Sequence, residues 1–280
     1  MEISFSLNGQ PVSADVRDGE RLLEVLRDRF GLRSMKDGCA PEGSCGACTV
    51  IVDGRPAVSC AQDATRVQGR NVVTLEGLPD ATRDLWAGAF VSAGAAQCGY
   101  CTPGIVMKVE ATLARDPAPT REALARSLTG NLCRCTGYVK ILDALETVAA
   151  VKRGELPAPA PETEAGVGRR ADRYDGRDLV LGDFPFVRDM TVPGMLHGAV
   201  ALSAHPRAIV KRIDTSAAER VAGVVRVATW RDGPGERHQG LIFRDWPLML
   251  AEGETTRYVG DVLAIVAAET RHAAREAAAL

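Results

Sequence analysis

Cysteine placement is the sharpest chemical signal in this sequence, because all eight cysteines fall into two sets of four. The first set comprises Cys39, Cys45, Cys48 and Cys60, and the second set comprises Cys98, Cys101, Cys133 and Cys135. Structural cysteines scatter singly through apolar stretches, whereas complete fours with short internal spacings are typical of thiolate-ligated inorganic centres. The sequence therefore predicts two separately ligated metal centres.

The spacing identifies the type of metal less directly, since four thiolates can bind either an iron-sulfur cluster or a tetrahedral zinc ion. The gap between Cys39 and Cys45 is one residue longer than in the plant-type iron-sulfur pattern. A single residue separates Cys133 from Cys135, whereas zinc sites more often use pairs two residues apart. The spacing favours iron-sulfur clusters, and a structural zinc protein with two four-cysteine sites is the alternative.

The loop that carries the first set is glycine-rich, with Gly38, Gly43 and Gly46 among its residues. Three sulfurs from one short segment converge on a compact core only if the backbone turns tightly with its N–H groups facing inward. We therefore expect this loop to wrap around the first centre.

Bulk composition is that of an ordinary soluble protein, with 280 residues, 46% hydrophobic and 25% charged residues, and a net charge of −2. Nothing in this balance indicates a nucleic-acid or membrane partner. The N-terminus alternates and lacks the apolar block of a signal peptide. Closely spaced cysteines more often bind metal where thiols stay reduced, so the sequence predicts a cytoplasmic location.

The elements that must position the cysteines begin with a small β-grasp pattern, predicted over residues 1–78. Apolar residues alternate on either side of Asn8-Gly9, which predicts a β-hairpin. From Glu20 the apolar period becomes helical, with Gly31 placed to end the helix. Strands over 49–52 and 72–75 complete the pattern, and the first cysteine loop falls between the helix and the strand at Thr49.

Residues 79–154 read as a four-helix bundle that binds the second set. The predicted helices cover 82–94, 104–115, a segment starting at Thr120, and 137–153. Two loops at one end of such a bundle bring Cys98 and Cys101 together with Cys133 and Cys135. Nearby helix N-termini favour an anionic cluster there.

A proline-alanine stretch starts at Glu155 and predicts a semi-extended linker, placed over residues 155–185. Residues 186–280 read as a mixed α/β domain with a helix at 216–220, a buried strand at 262–267 and a helix from Thr270. His197 and His205 lie in apolar or turn-like surroundings, which favours ordinary structural roles over metal ligation. The fold class is thus α+β and multidomain.

Three long motifs resemble the iron-sulfur subunit of the molybdenum hydroxylases, the xanthine dehydrogenase and aldehyde oxidoreductase family. They are GSCGACTV at 43–50, QCGYCTPG at 97–104 and GNLCRCTGY at 130–138. Shorter motifs within 186–280 resemble part of the hammerhead domain that begins the molybdenum-binding part of the same family, among them LHGA at 196–199, SAHPRA at 203–208 and YVGDV at 258–262. The chain resembles the arrangement in which the two parts are fused without a flavin domain between them.

This resemblance implies a function in electron transfer, with two 2Fe-2S clusters held by the eight cysteines. Electrons from a molybdopterin centre would pass one at a time to the second set and then to the first. Gln97 and the ligand Cys135 match family positions that contact the pterin. A stand-alone two-cluster carrier is a further alternative, against which the hammerhead part argues.

The resemblance also implies what this stretch of chain lacks. The domains that hold molybdenum and the catalytic glutamate of the family are absent, so we expect no catalytic residue here and either a longer polypeptide or a molybdopterin-binding partner subunit. Any FAD would lie on a separate chain. Purines, aldehydes and N-heterocycles remain open as substrates.

Overall fold

The structure is a computed structural model that describes residues 1–39, 41–162, 166–168 and 171–280. It divides into two compact units, Met1–Asp189 and Met190–Leu280, and each is described by itself. Of the predicted 155–185 linker, residues 163–165 and 169–170 lie outside the described part.

A five-stranded sheet opens the first unit, with strand order β2-β1-β5-β3-β4. Its strands are β1 (Glu2–Leu7), β2 (Gln10–Asp15), β3 (Thr49–Val52), β4 (Arg55–Val58) and β5 (Asn71–Val73). The predicted hairpin is present, with Asn8 and Gly9 at φ values of 53° and 80° in its turn. Strand β4 was not predicted; it pairs with β3 at the sheet edge, where a proline is tolerated.

The predicted helix after Glu20 is short and irregular. It consists of α1 (Leu22–Glu24), which continues as a π-helical turn over Val25–Arg29. Leu22 and Leu26 are fully buried against the sheet core. Gly31 follows at φ 66°, a left-handed conformation that glycine adopts without strain.

Four helices follow the sheet: α2 (Asp80–Ala93), α3 (Thr102–Leu113), α4 (Arg121–Ser127) and α5 (Tyr138–Lys152). Their bounds agree with the predicted helices to within a few residues. Thr120 caps α4 by accepting a hydrogen bond from the Ala123 N–H, as its sequence position indicated. Trp86 and Phe90 are fully buried where α2 faces the other helices.

The C-terminal part of the predicted linker differs from expectation, because it is folded. Residues 176–181 form α6 (Gly176–Leu181), whose Leu179, Val180 and Leu181 are buried within the first unit. A six-residue helix without a regular apolar period gives little signal against its polar surroundings. Sequence reasoning therefore extended the linker too far into ordered chain.

The second unit is built on a three-stranded antiparallel sheet, with order β6-β10-β7, and a short ribbon. Its elements are β6 (His197–Leu202), β7 (Val224–Thr229), β8 (His238–Gln239), β9 (Trp246–Pro247), β10 (Val262–Ala268) and α7 (Arg271–Ala278). Thr270 caps α7, which packs its alanines on one face of the sheet. The helix predicted at 216–220 is a single 3-10 turn, Ala218–Arg220.

Within the described ranges, no helix has both the length and the apolar character needed to cross a membrane.

Candidate iron-sulfur centres

The first set lies where the predicted loop and a second turn meet. Cys39, Cys45 and Cys48 come from the stretch between the π-helical turn and β3, and Cys60 comes from a 3-10 turn, Ser59–Ala61. The Cys39 and Cys60 Sγ atoms are 4.0 Å apart. The Cys60 N–H donates to the Cys48 Sγ at 3.4 Å. Cys45, Cys48 and Cys60 are buried and Cys39 is half-buried, so the four sulfurs share one enclosed position.

Backbone N–H groups make this position suitable for anionic sulfur. Burial opposes ionisation of Cys39, but hydrogen bonds from the N–H groups of Cys45 and Ser44 outweigh it and lower its pKa to about 7. Burial raises the pKa of Cys45 and of Cys60 in the metal-free chain. Binding of an iron-sulfur cluster by these sulfurs would therefore be coupled to loss of protons from the thiols.

The tight backbone turns predicted for this loop occur at two of its glycines. Gly43 and Gly46 have φ values of 74° and 67°, in the left-handed region. A Cβ at Gly43 would lie 2.9 Å from the Ala61 Cβ. A Cβ at Gly46 would lie 2.2 Å from the Gly130 carbonyl oxygen. Side chains at either position would push the loop away from its neighbours.

The second set is assembled from two loops, as expected. Cys98 and Cys101 precede α3, and Cys133 and Cys135 lie between α4 and α5. The Gly137 N–H donates to the Cys133 Sγ at 3.4 Å. Partial desolvation of its sulfur raises the pKa of Cys98, although the residue as a whole is exposed, and burial raises the pKa of Cys101 to about 12. Cys98 is exposed, Cys101 and Cys135 are half-buried, and only Cys133 is buried.

Within each set the thiols contact one another. In the first set, Cys39 contacts both Cys45 and Cys60, and Cys48 also contacts Cys60. In the second set, Cys98 contacts Cys135 and Cys101 contacts Cys133. A binuclear cluster is held by four thiolates, two at each iron, and four thiols in mutual contact fit that requirement.

The two cysteine loops touch each other directly. The Leu132 N–H donates to the Cys45 carbonyl oxygen at 2.9 Å, and the buried Asn131 donates from Nδ2 to the Gly46 carbonyl oxygen at 3.1 Å. Gly104 permits a further close approach, since a Cβ there would lie 2.3 Å from the same Gly46 oxygen. A hydrogen bond thus joins a member of the first set to the residue beside Cys133.

Two tyrosines brace these loops. The Tyr138 hydroxyl accepts from the Cys133 N–H at 2.9 Å and donates to the Asn131 carbonyl at 2.8 Å. The Tyr100 hydroxyl, from the second set's first loop, donates to the Asp37 carbonyl at 2.8 Å. Sequence reasoning missed the roles of Asn131 and both tyrosines, although all three lie inside the quoted motifs.

Gln97, the predicted pterin contact, is exposed and lies beside the exposed Cys98. Its carbonyl oxygen accepts a hydrogen bond from Arg173. A Cβ at Gly137 would lie 3.5 Å from its Nε2 atom, so the Gln97 amide lies near the loop that carries Cys135. The two residues implied by the resemblance are therefore close to one surface.

The two histidines considered at the outset lie in the second unit. His197 begins β6. At His205, the carbonyl oxygen accepts from the Ser203 and Thr256 hydroxyls at 2.9 Å each. These contacts give His205 a backbone role at a turn.

Comparison with protein-family profiles gives three matches along the chain. Residues 5–73 match the 2Fe-2S iron-sulfur cluster binding domain, 74–146 match the 2Fe-2S binding domain, and 181–280 match the aldehyde oxidase and xanthine dehydrogenase a/b hammerhead domain. The profiles cover both cysteine sets and most of the chain.

Individual relatives divide into separate subunits and longer chains. The nicotinate dehydrogenase small FeS subunit of Eubacterium barkeri is 46% identical over 140 residues, which are 50% of this chain and 88% of that one. The aldehyde oxidoreductase of Megalodesulfovibrio gigas is 34% identical over an alignment of 282 positions, which covers 93% of this chain and 31% of that one. The chain therefore spans about a third of the longer relative.

A solved structure shares the fold over nearly the whole chain. The crystal structure of the aldehyde oxidoreductase from Desulfovibrio desulfuricans ATCC 27774 has a TM-score of 0.82 and 33% sequence identity. The match covers 99% of this chain and 33% of that one.

Proposed function

The chain belongs to the molybdenum hydroxylase family of xanthine dehydrogenases and aldehyde oxidoreductases, and we propose that it is the electron-transfer part of such an enzyme. The matched domains are iron-sulfur domains, and the family is one of oxidoreductases. Because the chain spans about a third of its longer relatives, the activity of the whole enzyme is part of this proposal.

We assign one 2Fe-2S cluster to each cysteine set. Cys39, Cys45, Cys48 and Cys60 would hold the first; Cys98, Cys101, Cys133 and Cys135 would hold the second. The thiols in mutual contact, the N–H groups directed at sulfur and the glycines that admit close approach all fit such a group. When bound, each cluster supplies a site that takes up and releases one electron at a time.

We propose that the second set lies nearer the molybdopterin side and the first set nearer the acceptor. Support comes from the surface around the second set, where Cys98 and Gln97 are exposed. Leu132 and Val139, which flank its second loop, are 58% and 68% exposed. These two exposed apolar side chains, next to an exposed cysteine, suit a surface that another polypeptide covers. The partner proposed for this surface is the molybdopterin-binding domain or subunit.

The observation that carries the proposal is the hydrogen bond from the Leu132 N–H to the Cys45 carbonyl oxygen. It connects the two cysteine loops through few bonds, and Asn131 holds the same contact from within buried surroundings. Two separate structural metal sites do not require a direct contact between their loops. Two one-electron sites in series make use of one.

Gln97 is proposed to hydrogen-bond the pterin, and Cys135 to lie against it. Replacing Gln97 with Ala should lower the molybdenum content of the assembled enzyme while iron content stays unchanged. Molybdenum and iron are measured by elemental analysis of the same sample. Unchanged molybdenum content would remove Gln97 from the proposed site.

The electron acceptor is proposed to be external to this chain, either a separate FAD subunit or another carrier. The reduced, closely spaced thiols suit a cytoplasmic location. Aldehydes, purines and N-heterocycles all stay open as the substrate class of the assembled enzyme.

Metal analysis and spectroscopy of the purified chain test the proposal. We expect about four irons and about four acid-labile sulfides per chain, since each 2Fe-2S cluster contains two of each. Stepwise reduction should produce two distinct paramagnetic signals in electron paramagnetic resonance (EPR) spectra. Colourless protein that contains zinc instead of iron would overturn it in favour of structural metal sites.

A further inference from the structure

Residues 171–189, called here the docking segment, lie closely against the cysteine-bearing domains of the first unit. At three positions a glycine is all that fits between the segment and those domains, because a Cβ there would meet its neighbour at 2.6–2.8 Å. The pairs are Gly99 with Leu179, Gly176 with Val91, and Gly182 with Ser34. One of these glycines, Gly99, belongs to the loop of the second set. The segment therefore occupies a fitted groove.

A buried ionic anchor ends the segment. Asp189 accepts from the Arg27 guanidinium at 2.5 Å and from the Lys36 ammonium at 2.7 Å. The side chains are 1%, 7% and 2% exposed in that order. Lys36 also donates to the Gly182 carbonyl oxygen at 3.3 Å. Such a cluster holds only while all its charges are present, since a buried cation without its anion is strongly unfavourable.

Two further ion pairs connect the docking segment to the groove. Arg188 pairs with Asp37 at 2.7 Å and Arg177 pairs with Asp84 at 2.6 Å. Positive groups of the segment thus meet acidic residues, while its terminal Asp189 meets two basic ones. The Arg188–Asp37 pair is partly buried and favours one position of the segment, whereas Arg177 and Asp84 are exposed and contribute little.

The preceding chain makes few such contacts over its described residues 155–162. Seven of these eight residues are exposed, and Pro159 is half-buried. The Pro159 carbonyl oxygen lies 3.1 Å from where a Cβ at Gly88 would be. Proline-rich chain of this kind acts as a spacer.

We propose that the docking segment is a self-contained docking peptide. Its binding in the groove holds the cysteine-bearing part and the rest of the chain together even when the covalent linker is cut. The partner that fits this groove is a peptide with a short apolar helix and, at its C-terminal end, an aspartate side chain that pairs with Arg27 and Lys36. A relative whose small FeS subunit is a separate chain is consistent with a joint that needs no peptide bond. This proposal does not depend on the proposed electron-transfer function.

The test is to cut the linker in the full chain. A protease recognition sequence inserted after Glu162 leaves the docking segment on the C-terminal piece. After cleavage, we expect the two pieces to elute together in size-exclusion chromatography at micromolar concentration. Asp189→Asn should weaken their association by about 100-fold or more, because two buried cations lose their anion.

Asp178→Asn is the matched control, because it removes the same charge from an exposed position of the same segment. It should leave association unchanged. Gly182→Ala provides a second variant, since its Cβ would meet the Ser34 backbone, and it should also separate the pieces. Far-ultraviolet circular dichroism of the N-terminal piece confirms that it stays folded. Separation of the unmutated pieces on cleavage, or association that neither Asp189→Asn nor Gly182→Ala weakens, would overturn the proposal.

Discussion

The two cysteine sets differ most in how far their own domains enclose them. In the first set three of the four cysteines are at most 7% exposed, and a single loop and one turn surround them. In the second set Cys98 is exposed and two more members are half-buried, because two loop ends leave one side open. One set is thus closed by its own domain, whereas the other presents a side on which a partner can complete it.

The enclosed set is the one proposed to lie nearer the acceptor, so enclosure does not mean isolation. Pro41, Glu42 and Ser44 are exposed, within a few residues of the half-buried Cys39. Electron transfer needs short distance rather than an open sulfur. An acceptor can therefore approach the first set over this loop, whereas the open side of the second set suits direct contact with a cofactor.

Removing one cysteine from each set gives the largest expected effect and tests their independence. Cys45→Ser should abolish one of the two EPR signals and about half the iron, and Cys133→Ser should abolish the other. Each domain has its own core, so the cluster of the unmutated domain should persist. Loss of both signals from either variant would contradict two independent centres.

A methyl group added where the two cysteine loops meet should have a smaller effect than loss of a cysteine. It should lower the stability of the contact between both sets. Gly46→Ala places a Cβ 2.2 Å from the Gly130 oxygen at a φ of 67°. We expect about 2–5 kcal/mol of destabilisation from left-handed strain and overpacking together. The free energy of unfolding in urea measures this effect.

Gly54→Ala is the control for this variant. Gly54 has a φ of 75°, but nothing lies within 4 Å of where its Cβ would be. It should therefore show only the conformational cost of about 1–2 kcal/mol. Equal losses from the two substitutions would mean that the loops do not meet at Gly46 as described.

The turns, the helix starts and the grouping of the cysteines could be predicted from the sequence, because each depends on residues that are close together in the chain. The Asn8-Gly9 turn and the Thr120 and Thr270 caps depend on residues within a few positions of one another. The grouping of the cysteines into two sets is likewise visible in their spacing. Local chemistry of this kind needs no knowledge of distant neighbours.

The remainder depends on contacts between residues far apart in sequence. Nothing near Asn131 indicates that its amide will meet Gly46, and nothing near Asp189 indicates Lys36. Strand β4 is partly polar and contains Pro56, so its pairing with β3 shows only once the sheet is formed. The exposure of Cys98 could not be predicted either, since burial is a property of the assembled fold.

The smallest expected effect is a difference in thiol reactivity between the sets in the iron-free chain. N–H groups lower the pKa of Cys39 to about 7, whereas partial desolvation of its sulfur raises the pKa of Cys98. The thiolate is the reactive form, so Cys39 should be alkylated faster at pH 7 although Cys98 is the more exposed. Its rate should rise about tenfold from pH 6 to pH 8 and then level off, while that of Cys98 keeps rising.

Mass spectrometry of peptides from briefly alkylated protein measures both rates. The iron-loaded chain is the control, because thiolates bound to iron should be protected in both sets. Faster labelling of Cys98 at pH 7 would show that exposure outweighs the N–H groups around Cys39. Equal labelling of all eight cysteines would show that the loops form only around iron, and the first set would then owe its enclosure to the cluster rather than to its own backbone.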